Sequence, residues 1–314
     1  MLEAYKRFLC GILLLLINSL ALSLRGLLSV RRVTPSDFIK AKKRGEKIVM
    51  VTAYDYYQAR AADEAGVDGI LVGDSLGMVV MGFQSTLPVT MGMILHHLRA
   101  VVNANPRSLV VADMPFMSYE LGRKEALRNA SKLIRRGAGA VKLEGGIEIV
   151  GIVESLVKAG IPVMGHLGLN PQRSLARGMG LKGKKADEAL ELIEAAHALE
   201  EAGVFSIVIE YTAREVAEII TKRLRIPTIC IGSGPGCDGQ ILVFHDLVGL
   251  NPNPPPFAKK YSDAYRIFVD AIKSYADEAR RGLFPDVARY WSMDPEELVA
   301  LDNALKRQKE SGSR

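Results

Sequence analysis

Beyond residue 46 the chain alternates short, continuous apolar runs with longer stretches whose apolar positions recur at helical spacing. The runs at 47–52, 70–74, 109–113, 140–144, 162–166, 206–210, 227–231 and 240–244 have the length and continuity of parallel strands covered on both faces. Helices are expected at 55–65, 90–104, 122–136, 147–159, 187–202 and 213–223. The phrase Glu64-Ala65-Gly66-Val67 returns as Arg135-Arg136-Gly137-Ala138, Lys158-Ala159-Gly160-Ile161 and Glu201-Ala202-Gly203-Val204. Each glycine follows a helical stretch and precedes an apolar run, where a left-handed residue ends the helix and turns the chain into the next strand. Strands and helices alternating at this spacing imply parallel strands with right-handed crossovers, and eight of them close a (βα)8 TIM-type barrel. The eighth departs from the pattern, because only a glycine-rich loop separates it from the seventh.

After the last run, Asn251-Pro252-Asn253-Pro254-Pro255-Pro256 excludes helix and central strand, since proline fixes φ and lacks a donor. Helices expected at 261–282 and 295–309 form a C-terminal extension, the first with Tyr265, Phe268, Ala271 and Ile272 at helical spacing. No linker interrupts residues 33–314, which read as one catalytic barrel with C-terminal helices. Residues 1–32 are different. Residues 8–24 carry no charge and lie between Lys6-Arg7 and Arg25, at the short limit of a membrane span. Basic residues at both ends give no orientation, and Ala21-Leu22-Ser23 is a weak cleavage site. The preferred reading is a translation start near residue 33 and a cytoplasmic protein; a signal or an anchor through residues 8–24 is the alternative.

Charge and cysteine content narrow the classes further. Lys6, Arg7, Arg25, Arg31 and Arg32 against Glu3 place +4 of the net +6 within residues 1–32, so the barrel has no charge excess suited to nucleic acid. Cys10, Cys230 and Cys237 are too few and too unevenly spaced for a disulfide framework or zinc site, which points to a reducing compartment.

Five successive runs finish on an ionisable side chain: Asp74, Asp113, Glu144, His166 and Glu210. One such charge merely marks where a strand meets solvent. Five on consecutive strands of a barrel converge at its carboxyl-end mouth, where barrel enzymes place their chemistry. Asp74 and Asp113 are hard oxygen donors of the kind Mg²⁺ takes beside water and substrate oxygens. Lys142 and Glu144 lie two apart, so both point into the mouth, although a single pair of this kind is also common as a structural ion pair. The Gly73-Asp74-Ser75-Leu76-Gly77 stretch suits a tight turn exposing backbone N–H groups to an anion. Gly232-Ser233-Gly234-Pro235-Gly236 reads as a turn shaping the pocket, since the phosphate-loop pattern is incomplete. His96, His97 and His197 fall within helical stretches and read as packing or surface residues.

The runs at 72–77 and 85–90, Ala112-Asp113-Met114-Pro115-Phe116, residues 141–146 and Gly165-His166-Leu167-Gly168-Leu169 closely resemble the ketopantoate hydroxymethyltransferase family. Segments 232–234, 238–243 and 256–261 keep that family's order and spacing, and the resemblance extends over about residues 33–300. It implies transfer of a one-carbon unit from methylenetetrahydrofolate, or a methanopterin analogue, to α-ketoisovalerate on the route to pantothenate and coenzyme A. It further implies Mg²⁺ held by Asp74 and Asp113, with Glu144 near its water shell, and oxo-acid binding by Lys142 and the Ser75 region. His166 has a supporting role, and Glu210 is the general base, which partial burial would raise toward working pH. A homo-oligomer such as a decamer is implied as well. Residues 173–184 depart from the family, with Met179 or Leu181 where an aromatic residue is usual; this loop is expected to cover the site. The competing reading is another Mg²⁺-dependent 2-oxo-acid lyase or mutase on a phosphoenolpyruvate-type barrel, and a remote one is a membrane-tethered barrel without activity.

Overall fold

The computed structural model describes residues 31–286 and 288–311, and the chain divides after Ser262 into two compact units. In the first, β1 (Ile48–Thr52), β2 (Gly69–Val72), β3 (Leu109–Asp113), β4 (Ala140–Glu144), β5 (Val163–Gly168), β6 (Ser206–Glu210), β7 (Thr228–Ile231) and β8 (Gly239–Leu242) pair in chain order. All pairings are parallel, and β8 returns to β1 to close the barrel. Helices Tyr56–Glu64, Met91–Asn103, Arg123–Arg135, Ala186–Glu201 and Arg214–Arg223 lie within two residues of their expected places, and Val150–Lys158 starts three residues later than expected because Ile147–Ile149 is a 3₁₀ turn. Gly66, Gly137, Gly160 and Gly203 all have positive φ, so the repeated glycine phrase does end helices before strands.

Alternation along the strands splits the core into two layers. Met50, Leu71, Val111, Met164, Ile229 and Ile241 pack inside the barrel, whereas Val51, Ile70, Val110, Val141 and Ile207 pack outward against the helices. Helix Pro35–Arg44, unforeseen in the hydrophobic pattern, is fixed by a reciprocal cap between Thr34 and Asp37. Its buried Phe38 meets Phe205 edge to face at 5.8 Å, beside the amino-end floor of the barrel.

Three expectations need correction. Leu76–Val79 is a short helix rather than an anion-binding turn: the Leu76, Gly77 and Met78 N–H groups are spent on the carbonyls of Gly73, Asp74 and Ser75. The last strand stops at Leu242 because the chain turns over the mouth into helix Phe244–Leu247, where Phe244 N donates to Thr52 Oγ1. Third, Cys230 and Cys237 form a disulfide. With no helix between β7 and β8, the connecting loop folds back along β7 and brings the two Cα atoms to 5.7 Å. Cysteine spacing therefore gives no support to a reducing compartment.

The second unit consists of helices Ala264–Arg280 and Pro295–Ser311. The first buries no residue, and Tyr265, Phe268 and Ile272 are at least half exposed. Residues 8–24 lie outside the described residues. Among the described residues no helix is long and apolar enough to cross a membrane.

Candidate active site

A cavity of about 440 Å³ opens at the carboxyl end of the barrel, and Asp74, Ser75, Asp113, Lys142, Glu144, His166 and Glu210 all line it. Asp113, Glu144 and Glu210 close their strands, whereas Asp74 lies two residues beyond β2. His166 is interior to β5, which continues to Gly168 because Gly168 still pairs with Glu210. Register explains the convergence. Asp113 stands beside Lys142, and Glu144 beside His166, on neighbouring strands. The opposite wall is different in kind: β7, β8 and the residue after them contribute Ile231, Ile241, Leu242 and Val243.

Lys142 is the hub of the charged side. Its Nζ lies 2.7 Å from Asp113 Oδ1, 3.6 Å from Glu144 Oε1 and 3.1 Å from His166 Nδ1. The approach to Asp113 Oδ1 is an ion pair out of line for a hydrogen bond, and that oxygen accepts none. Burial works against the Lys142 ammonium, but Asp113, Glu144 and Asp74 outweigh it and hold its pKa above the ordinary lysine value. Burial likewise opposes the Glu144 carboxylate, yet His166 and Lys142 hold it down at about 2. For His166, burial and Lys142 oppose the cation, and Glu144 and Glu210 overcome them to lift it to about 9. Protonated, His166 gives Nδ1–H to Glu144 Oε1 at 3.3 Å; neutral, it accepts from Lys142 instead. The surrounding carboxylates favour the protonated state. Its Nε2 lies 3.3 Å from Glu210 Oε2, off the line of a hydrogen bond. The Glu210 side chain is 18% exposed, the most open of the charged groups.

Asp74 and Asp113 form a pair suited to a divalent cation. Asp74 N donates to Asp113 Oδ2 at 2.9 Å, which holds the two carboxylates on adjacent strand ends. Burial raises both carboxyl pKa values; at Asp74 the neighbouring Asp113 and Glu144 charges add to it, so positive charge is in short supply there. Among the described residues no three His, Cys, Asp or Glu side chains converge as ligands of one ion. Glu144 is engaged elsewhere, its Oε2 accepting from Gln172 N at 3.1 Å and its Oε1 facing Lys142 and His166. Two carboxylates, with water and substrate oxygens completing the set, still match the needs of Mg²⁺.

Sequence reasoning missed Gln172 and Tyr119. Gln172 is buried in the 3₁₀ turn Pro171–Arg173 and donates from Nε2 to Asp74 Oδ2 at 2.8 Å. The Tyr119 hydroxyl lies 2.8 Å from Glu144 O and 3.1 Å from Gln172 Oε1. Neither ends a strand or carries charge, so no periodicity marks them. The loop that follows Gln172 brings Met179 to the cavity wall, as expected of a cover. Gly232 packs on Phe257, another lining residue, so its loop shapes the pocket. His97 is a packing residue, with Nδ1 2.7 Å from Tyr54 O.

A closed parallel barrel with acids, a lysine and a histidine gathered at its carboxyl-end mouth defines a (βα)8-barrel enzyme. Solved barrels of this shape include phosphonopyruvate hydrolase, with a TM-score of 0.55 and 16% identity over 90% of this chain and 99% of that one. Another is 2,3-dimethylmalate lyase, a member of the PEP mutase/isocitrate lyase superfamily, at 0.52 and 20% over 88% and 98%. At such identity the likeness is one of fold alone. Family likeness is closer: the ketopantoate hydroxymethyltransferase profile matches residues 32–287. The 3-methyl-2-oxobutanoate hydroxymethyltransferase of Ignicoccus hospitalis is 59% identical over 263 residues, 83% of this chain and 100% of the relative. That of Hyperthermus butylicus is 56% identical over 282 residues, 90% and 98% of the two chains. The chain belongs to the ketopantoate hydroxymethyltransferase family, and it is a transferase.

Proposed function

We propose that this chain transfers a hydroxymethyl group to 3-methyl-2-oxobutanoate (α-ketoisovalerate), giving ketopantoate for pantothenate and coenzyme A synthesis. The donor is a methylene-bearing reduced pterin, methylenetetrahydrofolate or a methanopterin analogue. The observation that carries the reading is the two-sided mouth: Asp74, Asp113, Lys142, Glu144, His166 and Glu210 come from β2 to β6, and the apolar Ile231, Ile241, Leu242 and Val243 come from β7, β8 and the residue after them, with Asp246 and Asn251 beyond. A branched oxo acid has the matching halves: ketone and carboxylate oxygens at one end, an isopropyl group at the other.

The difficult step is removal of the proton from the carbon beside the ketone, which needs a base on one side and positive charge at the oxygen. Glu210 is the base: it lines the cavity, is the most open of the carboxylates, and stands 3.3 Å from His166 Nε2. Lys142, held as an ammonium by its carboxylate neighbours, stabilises charge growing on the enolate oxygen. A lysine held cationic is poorly suited to Schiff-base formation, which needs the free amine. Mg²⁺ held by Asp74 and Asp113 would add positive charge at the ketone and carboxylate oxygens. Glu144 keeps Lys142 and His166 in place, and the apolar wall keeps water from the enolate carbon until it meets the methylene group.

The test is ketopantoate formation from α-ketoisovalerate with each carrier in turn, followed by mass spectrometry. Product is expected with one carrier, is lost on chelation and returns with Mg²⁺. No product with either carrier would sink the proposal.

A further inference from the structure

We infer that Gln172 is a positioning residue for the metal carboxylates, fixing which oxygen of Asp74 faces the cavity; this rests on the reading of Asp74 and Asp113 as metal ligands. The residue's hydrogen-bonding capacity is directed at three strand ends. Its Nε2 donates to Asp74 Oδ2, beyond β2, at 2.8 Å and to Met114 O, beyond β3, at 3.1 Å. Its backbone N–H donates to Glu144 Oε2, at the end of β4, at 3.1 Å. Its Oε1 faces the Tyr119 hydroxyl at 3.1 Å, and that hydroxyl also reaches Glu144 O. Two acceptors on one side and a hydroxyl donor on the other fix the amide orientation.

The consequence lies in Asp74. With Oδ2 tied to Gln172, the carboxylate cannot rotate freely, and Oδ1, which accepts no hydrogen bond from the described residues, is left for the cavity. A carboxylate that is both oriented and half spoken for offers one oxygen to a cation, and partners of this kind commonly govern metal affinity as strongly as they govern geometry. Gln172 also begins the segment that runs on to Met179 over the cavity. The same side chain therefore anchors the cover and aims the ligand.

The experiment is titration of the full-length protein with Mn²⁺, read as free ion by electron paramagnetic resonance, for the parent, Gln172→Met and Gln172→Asn. Methionine keeps the length and removes the donors; asparagine keeps the amide but falls short of Asp74. Both variants are expected to bind Mn²⁺ about 10–100-fold more weakly, with melting temperatures within a few degrees of the parent. Tyr119→Phe, which leaves the two N–H donors of Gln172 in place, is expected to lose only about threefold. Gln172 variants that fold and bind within about threefold of the parent would overturn the assignment, as would loss of fold in both Gln172 variants, which would make the residue a structural strut. A parent that binds no Mn²⁺ would instead remove the metal reading on which the inference rests.

Discussion

Glu210 stands apart from the other acids of the mouth by its exposure and by having a histidine nitrogen, not a lysine, as its neighbour. Glu210→Gln keeps the shape and removes the base, so exchange of the α-ketoisovalerate methine proton should fall at least about 100-fold while the oxo acid still binds. Normal exchange in that variant, followed by NMR in D2O, would eliminate the assignment. His166 and Glu144 make a second prediction, about stability in chelator-treated protein. Glu144 has its pKa lowered on folding to about 2, so its contribution is present above its unfolded value and fades as pH falls through 2. His166 has its pKa raised to about 9, so its contribution is complete below about pH 6.5 and fades as pH rises through 9. Asp74 and Asp113, raised by burial, also lose stability as pH rises. Melting temperature should therefore decline toward alkaline pH, and His166→Gln should flatten the part between about 6.5 and 9. An unchanged slope there would show that the cluster does not hold His166 protonated. Charged residues were legible in the sequence because a charge ending an apolar run is conspicuous. Gln172 and Tyr119 were not, because an uncharged polar group is placed by tertiary contacts that leave no local pattern.

At the scale of elements, the glycines between helix and strand were the clearest punctuation, and the helices before them end within one residue of expectation. The pattern failed where function or topology overrode it. β5 runs two residues past His166 because its ladder with β6 continues to Glu210. The β7–β8 connection has no helix, so periodicity could not foretell that its cysteines meet. Gly168 is the tightest point of this framework. It has φ +92°, and a Cβ there would lie 2.2 Å from Glu210 O and 2.3 Å from Thr212 Oγ1. Gly168→Ala combines left-handed strain with a clash against the strand that carries Glu210, at a cost of more than about 2 kcal/mol. Denaturant unfolding should show that loss, and proton exchange should fall with it. A variant with parental stability and exchange would mean that β5 and β6 yield there without consequence.

For the molecule as a whole, the arrangement of charges around the mouth matters more than their number. Lys142, His166 and four of the lining carboxylates come from β2 through β6, while β7, β8 and the residue after them contribute Ile231, Ile241, Leu242 and Val243, with Asp246 and Asn251 beyond them, and on the proposed reading this asymmetry gives a bound oxo acid one orientation. On the proposed mechanism the planar enolate then shows one face to the side from which the carrier delivers its methylene. With α-ketoisovalerate this leaves no trace, because the two methyl groups are identical and the new quaternary carbon is not a stereocentre. With 3-methyl-2-oxopentanoate it would be one, and the product should form as a single enantiomer on chiral chromatography. A racemate would mean that the enolate forms in both geometries or turns over in the cavity before it is captured. The barrel thus holds a handedness that its proposed product conceals.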